Sequence, residues 1–367
     1  KPKRAAAHHL RGYILARLRR ANEALTAYQR AFDLEPKNAA YSEAVAVARV
    51  RAGEGRRVLR QLRRLNRRDP KNIEVARALA QVLGEKKEYR RALKVLQATA
   101  SKAPMLVKDR AAWLLASGRV DAARKVLLEG LKAAPTHRDL QFNLALTERR
   151  SGRFDAARNY ASSALKSCKK EGVLCSQETA LMARLELQLG APKAARELTC
   201  KATPTTYDSS FLCARSLRVL GQLPKALRVA ERARELAQDA ADRSAAQRLR
   251  GKILTDLGRG AEAIGIFREK GTSLADLGIA LSRAGRAREA KAVLLRALRK
   301  DSKNAELHLA LASAHRQLGQ RTAALGVLEA ARKRWPEKPG VINDLALIYL
   351  TEKTKQKGVR LLLDGVA

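Results

Sequence analysis

The sequence predicts an all-α solenoid of antiparallel helix pairs. Three observations carry that prediction: a recurring proline, a glycine recurring at a similar interval, and a register of small residues counted from those glycines. Composition agrees with it. Ala, Leu and Arg dominate the 367 residues while Phe, Trp and Tyr supply only 4%, a balance that favours helix over aromatic-packed sheet.

The proline comes first. A helix, break, helix segment starting at Gly12 stops at Glu35-Pro36-Lys37-Asn38. The stop Asp69-Pro70-Lys71-Asn72 follows 34 residues later, and Pro104 comes at the same interval again. Proline and the residue before it both resist helical geometry, so each recurrence is expected to mark the start of a new helix. Glycine is the second ruler. Gly53, Gly118, Gly152, Gly190, Gly221, Gly258, Gly285 and Gly319 each end a helical stretch, as a left-handed cap before a tight turn would. Arg19, Lys87 and Lys353 fill the same place in three further units. The intervals run 34, 34, 31, 34, 38, 31, 37, 27, 34 and 34, which gives eleven hairpins with the last one truncated.

Counting from each turn tests the register. Seven residues earlier stand Gly12, Ala46, Ala80, Ala111, Ala145, Ala183, Ala214, Gly251, Gly278, Ala312 and Ala346. Five residues later stand Ala24, Val58, Ala92, Ala123, Ala157, Ala195, Ala226, Ala263, Ala290, Ala324 and Gly358, with larger residues such as Tyr28, Leu96, Leu127, Phe267 and Leu328 four further on. Small residues let helices approach closely and large ones fill the space beyond.

This pattern resembles the tetratricopeptide repeat over essentially the whole chain, as in Gly12…Ala24…Tyr28…Ala31…Pro36. The resemblance implies one right-handed superhelical solenoid over residues 1–367, whose first helices line a concave groove and whose second helices form the convex face. The aromatic near the start of the first helix is mostly missing. The interval of 38 implies an insertion within an irregular region at 166–210, and the interval of 27 implies shortened helices.

Charge and hydropathy bound the function. No apolar run approaches the roughly 20 residues needed to cross a bilayer. The chain opens Lys1-Pro2-Lys3-Arg4 without a signal-peptide-like stretch, so it is expected to be cytosolic or to have lost a targeting segment. The net charge of +39 favours acidic partners, the alternative being a composition that simply writes Arg on solvated helix faces. Residues 1–103 hold 26 basic and 9 acidic side chains, a net of +17, so this third is the most basic.

Catalytic chemistry finds no support. His308 and His315 lie seven apart without a Cys or carboxylate at ligand spacing, which favours a solvated or core role over a metal site. Gly53-Glu54-Gly55 and Gly258-Arg259-Gly260 sit between helices with no strand before them and no Walker-type continuation, so they read as turns. No enzyme activity, cofactor, metal or small-molecule substrate is expected. Cys168, Cys175, Cys200 and Cys213 cluster in one region, as disulfides, buried thiols or, with no close Cys pair, less readily a metal site. Sequence proximity favours pairing Cys168 with Cys175 and Cys200 with Cys213. Oxidised pairs would place the protein in the periplasm or elsewhere outside the cytosol, the cytoplasm being the alternative.

Two surfaces are candidates for binding. Arg56, Arg57, Arg60, Arg63, Arg64, Arg67 and Arg68 surround Val58, Leu59, Leu62 and Leu65 on one amphipathic helix, either a solvated convex surface or a contact for lipid headgroups, an acidic polymer or nucleic acid. The second surface follows from the resemblance, in which groove residues stand two, three, six, nine, ten and thirteen before the turn. Those offsets give Arg149, Arg150, Arg184, Arg215, Arg218, Arg248, Lys252, Arg283 and Arg316, interleaved with Phe142, Leu181, Phe211, Leu212 and Leu249. Asp139, Asp208, Asp256 and Asp276 stand at the same offsets and would offset part of that charge. The Lys and Asn clamp of chaperone-binding members is not matched. The sequence therefore points to a scaffold whose groove captures an acidic, extended segment of a partner protein, with a polyanion or anionic surface as the alternative. Family association adds bacterial envelope assemblies of pilus, secretion or motility type.

Overall fold

The protein was described from a computed structural model covering residues 2–99, 103–200, 205–269, 273–350 and 355–364, all helix, turn or loop with no strand among them. The chain divides into two compact units, Lys1–Leu189 and Gly190–Ala367.

The first unit contains α1 (Pro2–Arg17), α2 (Ala21–Leu34), α3 (Ala39–Arg51), α4 (Gly55–Arg68), α5 (Ile73–Glu85), α6 (Tyr89–Ala98), α7 (Pro104–Ala116), α8 (Val120–Ala133), α9 (Arg138–Arg150), α10 (Phe154–Lys170) and α11 (Ser176–Gln188). The second contains α12 (Pro192–Thr199), α13 (Tyr207–Val219), α14 (Leu223–Leu236), α15 (Ala240–Asp256), α16 (Gly260–Arg268), α17 (Leu274–Arg283), α18 (Ala287–Lys300), α19 (Ala305–Gln317), α20 (Arg321–Arg334), α21 (Pro339–Leu350) and α22 (Lys355–Asp364). Within each unit every helix packs on its neighbours in sequence, and first helices also meet the next first helix, as α3 meets α5 and α17 meets α19.

The turn residues do what their spacing requires. Backbone φ is positive at Arg19, Gly53, Lys87, Gly118, Gly152, Gly190, Gly221, Gly258, Gly285 and Gly319, which is the left-handed conformation that reverses the chain after a helix. Lys353 lies outside the described residues. The prolines act slightly differently from expectation. Pro104 opens α7, but Pro36 and Pro70 stay in the loop, and Asn38 and Asn72 start the next helices by accepting from the amides of Ala40 and Val75. Proline stops one helix here and the asparagine cap begins the next.

Spacing anomalies appear where the intervals placed them. α10 runs 17 residues and ends in a turn at Gly172, absorbing the long interval. α16 and α17 have only 9 and 10 residues, absorbing the short one.

The register of small residues is the core. The eleven positions seven before the turn and the eleven positions five after it are all buried. Where the earlier position is Gly, the facing large residue explains it. A Cβ on Gly12 would stand 2.7 Å from Tyr28, one on Gly251 2.6 Å from Phe267, and one on Gly278 2.6 Å from Leu294. Gly251→Ala is therefore expected to destabilise by about 1–3 kcal/mol through overpacking. Chemical denaturation checks it, and an unchanged midpoint would show that Phe267 moves aside without cost.

Candidate functional site

In the second unit, α13, α15 and α17 bring their cationic residues around two carboxylates. The Arg218 Nε on α13 donates to Asp256 Oδ2 at 2.6 Å, and Arg283 on α17 binds the other oxygen of Asp256. Arg248 and Lys252, one turn apart on α15, both reach Asp276 on α17, Lys252 at 3.2 Å. Asp276 is almost fully buried, and the Ser273 hydroxyl accepts from its amide. Four cations thus share two carboxylates, a residual charge of two held in place by helix packing. An anion arriving here meets oriented donors instead of free side chains.

A cavity of about 410 Å³ opens beside this cluster. Arg218, Lys252, Arg283 and Lys338 contribute its positive side, Ile279, Leu309 and Ala310 an apolar side, and Glu306 one further carboxylate. Apart from Phe267 and Lys338, every lining residue stands two, three, six, nine, ten or thirteen before its turn. Ile279, Ser282, Glu306, Leu309 and Ser313 could have been named from those offsets alone; Lys338, in the loop before α21, could not.

The other expected groove residues are distributed less tightly. Arg149 is half-buried and Arg150 exposed at the end of α9, and neither makes an ion pair among the described residues. Phe142 packs partly buried against the core of α9, α10 and α11, the helix that also carries half-buried Arg184. Phe211 stacks on Tyr207 with centroids 5.6 Å apart, and Arg215 is exposed on the same helix, α13. Arg316, exposed on α19, works against the burial that pushes the Asp344 carboxyl above its usual range. Asp139 belongs to a separate pair. Burial acts to raise its carboxyl, yet the hydrogen bond from Lys108 at 2.8 Å and the nearby Arg138 hold it below the ordinary value. One expectation is corrected: Leu181, Leu212 and Leu249 are buried core residues and do not surface the groove. Each stands nine before its turn and is packed into the helix interface of its own repeat.

The first unit holds a comparable cavity of about 250 Å³ between α3, α5 and α7. Its charges balance: Arg51 and Arg77 bind Glu74, and Arg77 also binds Asp109. Burial works against the Arg77 charge, but the hydrogen bonds and charges of Asp109 and Glu74 together outweigh it and raise its pKa. Two cations on two carboxylates leave no excess for an acidic ligand, which distinguishes this cavity from that of the second unit.

On α4, Val58, Leu62 and Leu65 face the core while Arg56, Arg57, Arg60, Arg63, Arg64, Arg67 and Arg68 are all exposed. Of these seven, among the described residues, only Arg57 makes an ion pair within 4 Å, with Glu54 at 3.7 Å, and Arg63 adds a longer-range attraction to Glu88. His308 meets the Trp335 ring at a tilt, centroids 5.4 Å apart, and His315 meets Gln320 at 2.8 Å, so both are held within their own repeats. The cysteines form two disulfides, Cys168 with Cys175 and Cys200 with Cys213, each within one unit and each the pairing that proximity favoured.

A stack of antiparallel helix pairs with a residue-lined cavity on its first helices defines an interaction scaffold. Tetratricopeptide repeat profiles match residues 109–171, 212–270, 275–339 and 309–362, and a second such profile matches 5–38. The chain belongs to the tetratricopeptide repeat family. Among solved structures it is similar to the Cut9–Hcn1 hetero-tetramer of APC/C, at 15% identity and a TM-score of 0.55 over 94% of this chain and 76% of that one. It is also similar to the human IFIT1 dimer with PPP-AAAA, at 17% identity and a TM-score of 0.52 over 90% and 72%. A tetratricopeptide repeat protein from Parabacteroides merdae aligns at 14% identity and a TM-score of 0.49 over 69% and 99%. At these identities the likeness is one of fold. No curated protein matches the sequence.

Proposed function

We propose that the protein is a non-catalytic scaffold that captures an acidic, extended segment of a partner protein on the first helices of its second unit. The observation that carries this reading is the cluster of Arg218, Arg248, Lys252 and Arg283 around only two carboxylates, beside an apolar-sided cavity. Carboxylates of the partner would pair the excess cations, and apolar side chains between them would enter against Ile279 and Leu309 and set the register. The two disulfides support an extracytoplasmic setting, because such bonds persist in oxidising compartments. A bacterial envelope assembly of pilus, secretion or motility type is the proposed context.

The test uses an extended peptide alternating Glu and Leu and its Lys counterpart, measured by calorimetry. One site per chain is expected for the acidic peptide, with none for the basic one, and a loss of roughly tenfold or less between 50 and 200 mM salt. A second reading rests on α4, whose exposed arginines suit a polyanion or an anionic membrane face. A polyanion contacting six to ten charges would instead lose roughly 10³–10⁵ in affinity over the same salt range and bind at several places. That outcome would replace the groove reading with the α4 reading.

A further inference from the structure

Arg110 occupies a position that the rest of the stack gives to the core. Eight residues before the turn, the ten repeats after the first hold an apolar side chain in eight cases, and Val45, Leu79, Leu144, Cys213, Leu311 and Leu345 are buried there. Only Arg110 on α7 and Arg250 on α15 depart from that pattern. Arg250 is neutralised within the stack, because it donates to Glu231 of the preceding second helix, α14, at 3.3 Å. Glu231 stands ten residues after its turn. The same place on α6, the helix before Arg110, is held by Gln97, which brings no charge. The Arg110 Nε is buried without a hydrogen-bond partner among the described residues, and the chain at 100–102, outside them, contains no acidic residue.

Buried donors are almost always paired, since an unpartnered N–H gives up its bond to water and gains nothing in return. Arg110 lines a cavity of about 430 Å³ between α6, α7 and α8. Arg90 of α6, Arg119 of the turn before α8 and Lys125 of α8 line it too, with Glu129 as the one carboxylate. None of the four cations makes an ion pair within 4 Å among the described residues. Four cations against one carboxylate leave an excess of three, where the cavity of the second unit has an excess of two. Leu93, Leu114 and Val126 supply an apolar side.

We propose that this cavity binds a phosphate monoester, with the phosphate against Arg110, Arg90, Arg119 and Lys125 and the organic part against Leu93, Leu114 and Val126. A phosphate brings a charge of about −1.5 to −2 and three acceptor oxygens together, which answers an excess of three cations better than a lone carboxylate does. Arg110 supplies the donor that the stack leaves unused. The site shares no residue with the cavity of the second unit or with α4, so its failure and that of the scaffold reading are distinguishable.

The test is calorimetry of the full chain with phenyl phosphate, at fixed ionic strength in a phosphate-free buffer, with benzoate as a monoanion of similar body. One site per chain is expected for phenyl phosphate, with benzoate weaker by about tenfold or more. Arg110→Leu installs the residue found at Leu79, Leu144 and Leu311, and it is expected to weaken phenyl phosphate by about tenfold or more while keeping or raising the melting temperature. Gln97→Glu supplies the carboxylate that Glu231 gives Arg250, and it should likewise weaken binding without loss of stability. Binding that survives both variants in folded protein overturns the proposal. A fall of several degrees in the melting temperature of Arg110→Leu also overturns it, by showing that the guanidinium is paired within the chain. Absence of phenyl phosphate binding to the wild type, or equal binding of benzoate, does the same. Vesicles containing phosphatidic acid separate two sources of the phosphate. Vesicle binding lost together with phenyl phosphate binding in Arg110→Leu assigns a lipid headgroup, and vesicle binding that is absent or unchanged assigns a soluble phosphate.

Discussion

Reversing Arg215, Arg218 and Arg248 to Glu is expected to abolish binding of the acidic peptide, a loss of at least a hundredfold. Arg218 and Arg248 each share an aspartate with a second cation, Arg283 on Asp256 and Lys252 on Asp276. Reversal therefore turns a cluster of four cations and two carboxylates into two cations and four carboxylates, and Arg215 adds a further reversed charge on α13. An incoming carboxylate then meets repulsion where it met oriented donors. The same aspartates mean that folding is not untouched, since Asp276 is nearly buried and would keep only Lys252. A moderate fall in melting temperature should accompany the loss of binding. Arg218→Gln with Arg283→Gln separates the two effects, because Asp256 is more exposed than Asp276 and can be solvated, while two donors to the partner are lost. Peptide binding that survives both variants in folded protein would remove the cavity as the site and leave the α4 surface as the alternative.

Removing the disulfide between Cys200 and Cys213 is the change to covalent structure with the largest expected effect. Its cysteines are 13 apart in sequence, and loop closure in the unfolded chain gives about 3 kcal/mol for a loop of that size, against about 2.5 kcal/mol for Cys168 and Cys175, which are 7 apart. The helix it anchors has little else. α12 has eight residues and buries only Ala195 and Thr199, whereas Cys213 lies inside the main core cluster of the second unit. Cys200→Ala/Cys213→Ala is expected to lower the denaturation midpoint accordingly and to make α12 the first segment to lose protection in hydrogen exchange. Mass spectrometry of protein isolated without reductant should find no free thiol. Four free thiols would reject both bonds and the extracytoplasmic setting they support.

The repeat could be read from the sequence because its signals are local. A left-handed turn needs Gly or a tolerant residue at one place, and a close helix crossing needs Gly or Ala at a fixed distance from it, so Gly251 and Ala263 announce their roles without reference to distant residues. The cysteine pairs were readable for the same reason, since each closes a short loop. Ion pairing was not. Arg218 and Asp256 are 38 residues apart and Arg248 and Asp276 are 28 apart, and which cation meets which carboxylate depends on helix lengths that vary from repeat to repeat. The balanced cavity of Arg51, Arg77, Glu74 and Asp109 was missed on the same account, because an excess of charge in the sequence says nothing of how it is neutralised locally. Leu181, Leu212 and Leu249 were assigned to the groove from offset alone. In these three repeats the leucine packs into the helix interface, whereas Ala310 at the same offset lines the cavity, so the offset alone does not tell which way a side chain goes.

The glycines that face large side chains also constrain how this sequence can change over generations. Tyr28 and Phe267 are the aromatic residues nine after a turn, and each faces a glycine at a distance no Cβ tolerates. Enlarging the glycine first passes through an overpacked intermediate, and shrinking the aromatic first passes through a cavity costing about 3–5 kcal/mol for complete truncation. A graded route, Phe267→Leu and then Gly251→Ala, leads to the Ala and Leu pair already present as Ala46 with Leu62 and Ala80 with Leu96, although Gly278 shows that a glycine can face a leucine just as closely. The two positions are thus energetically coupled, so that the cost of a change at one is expected to depend on the residue at the other.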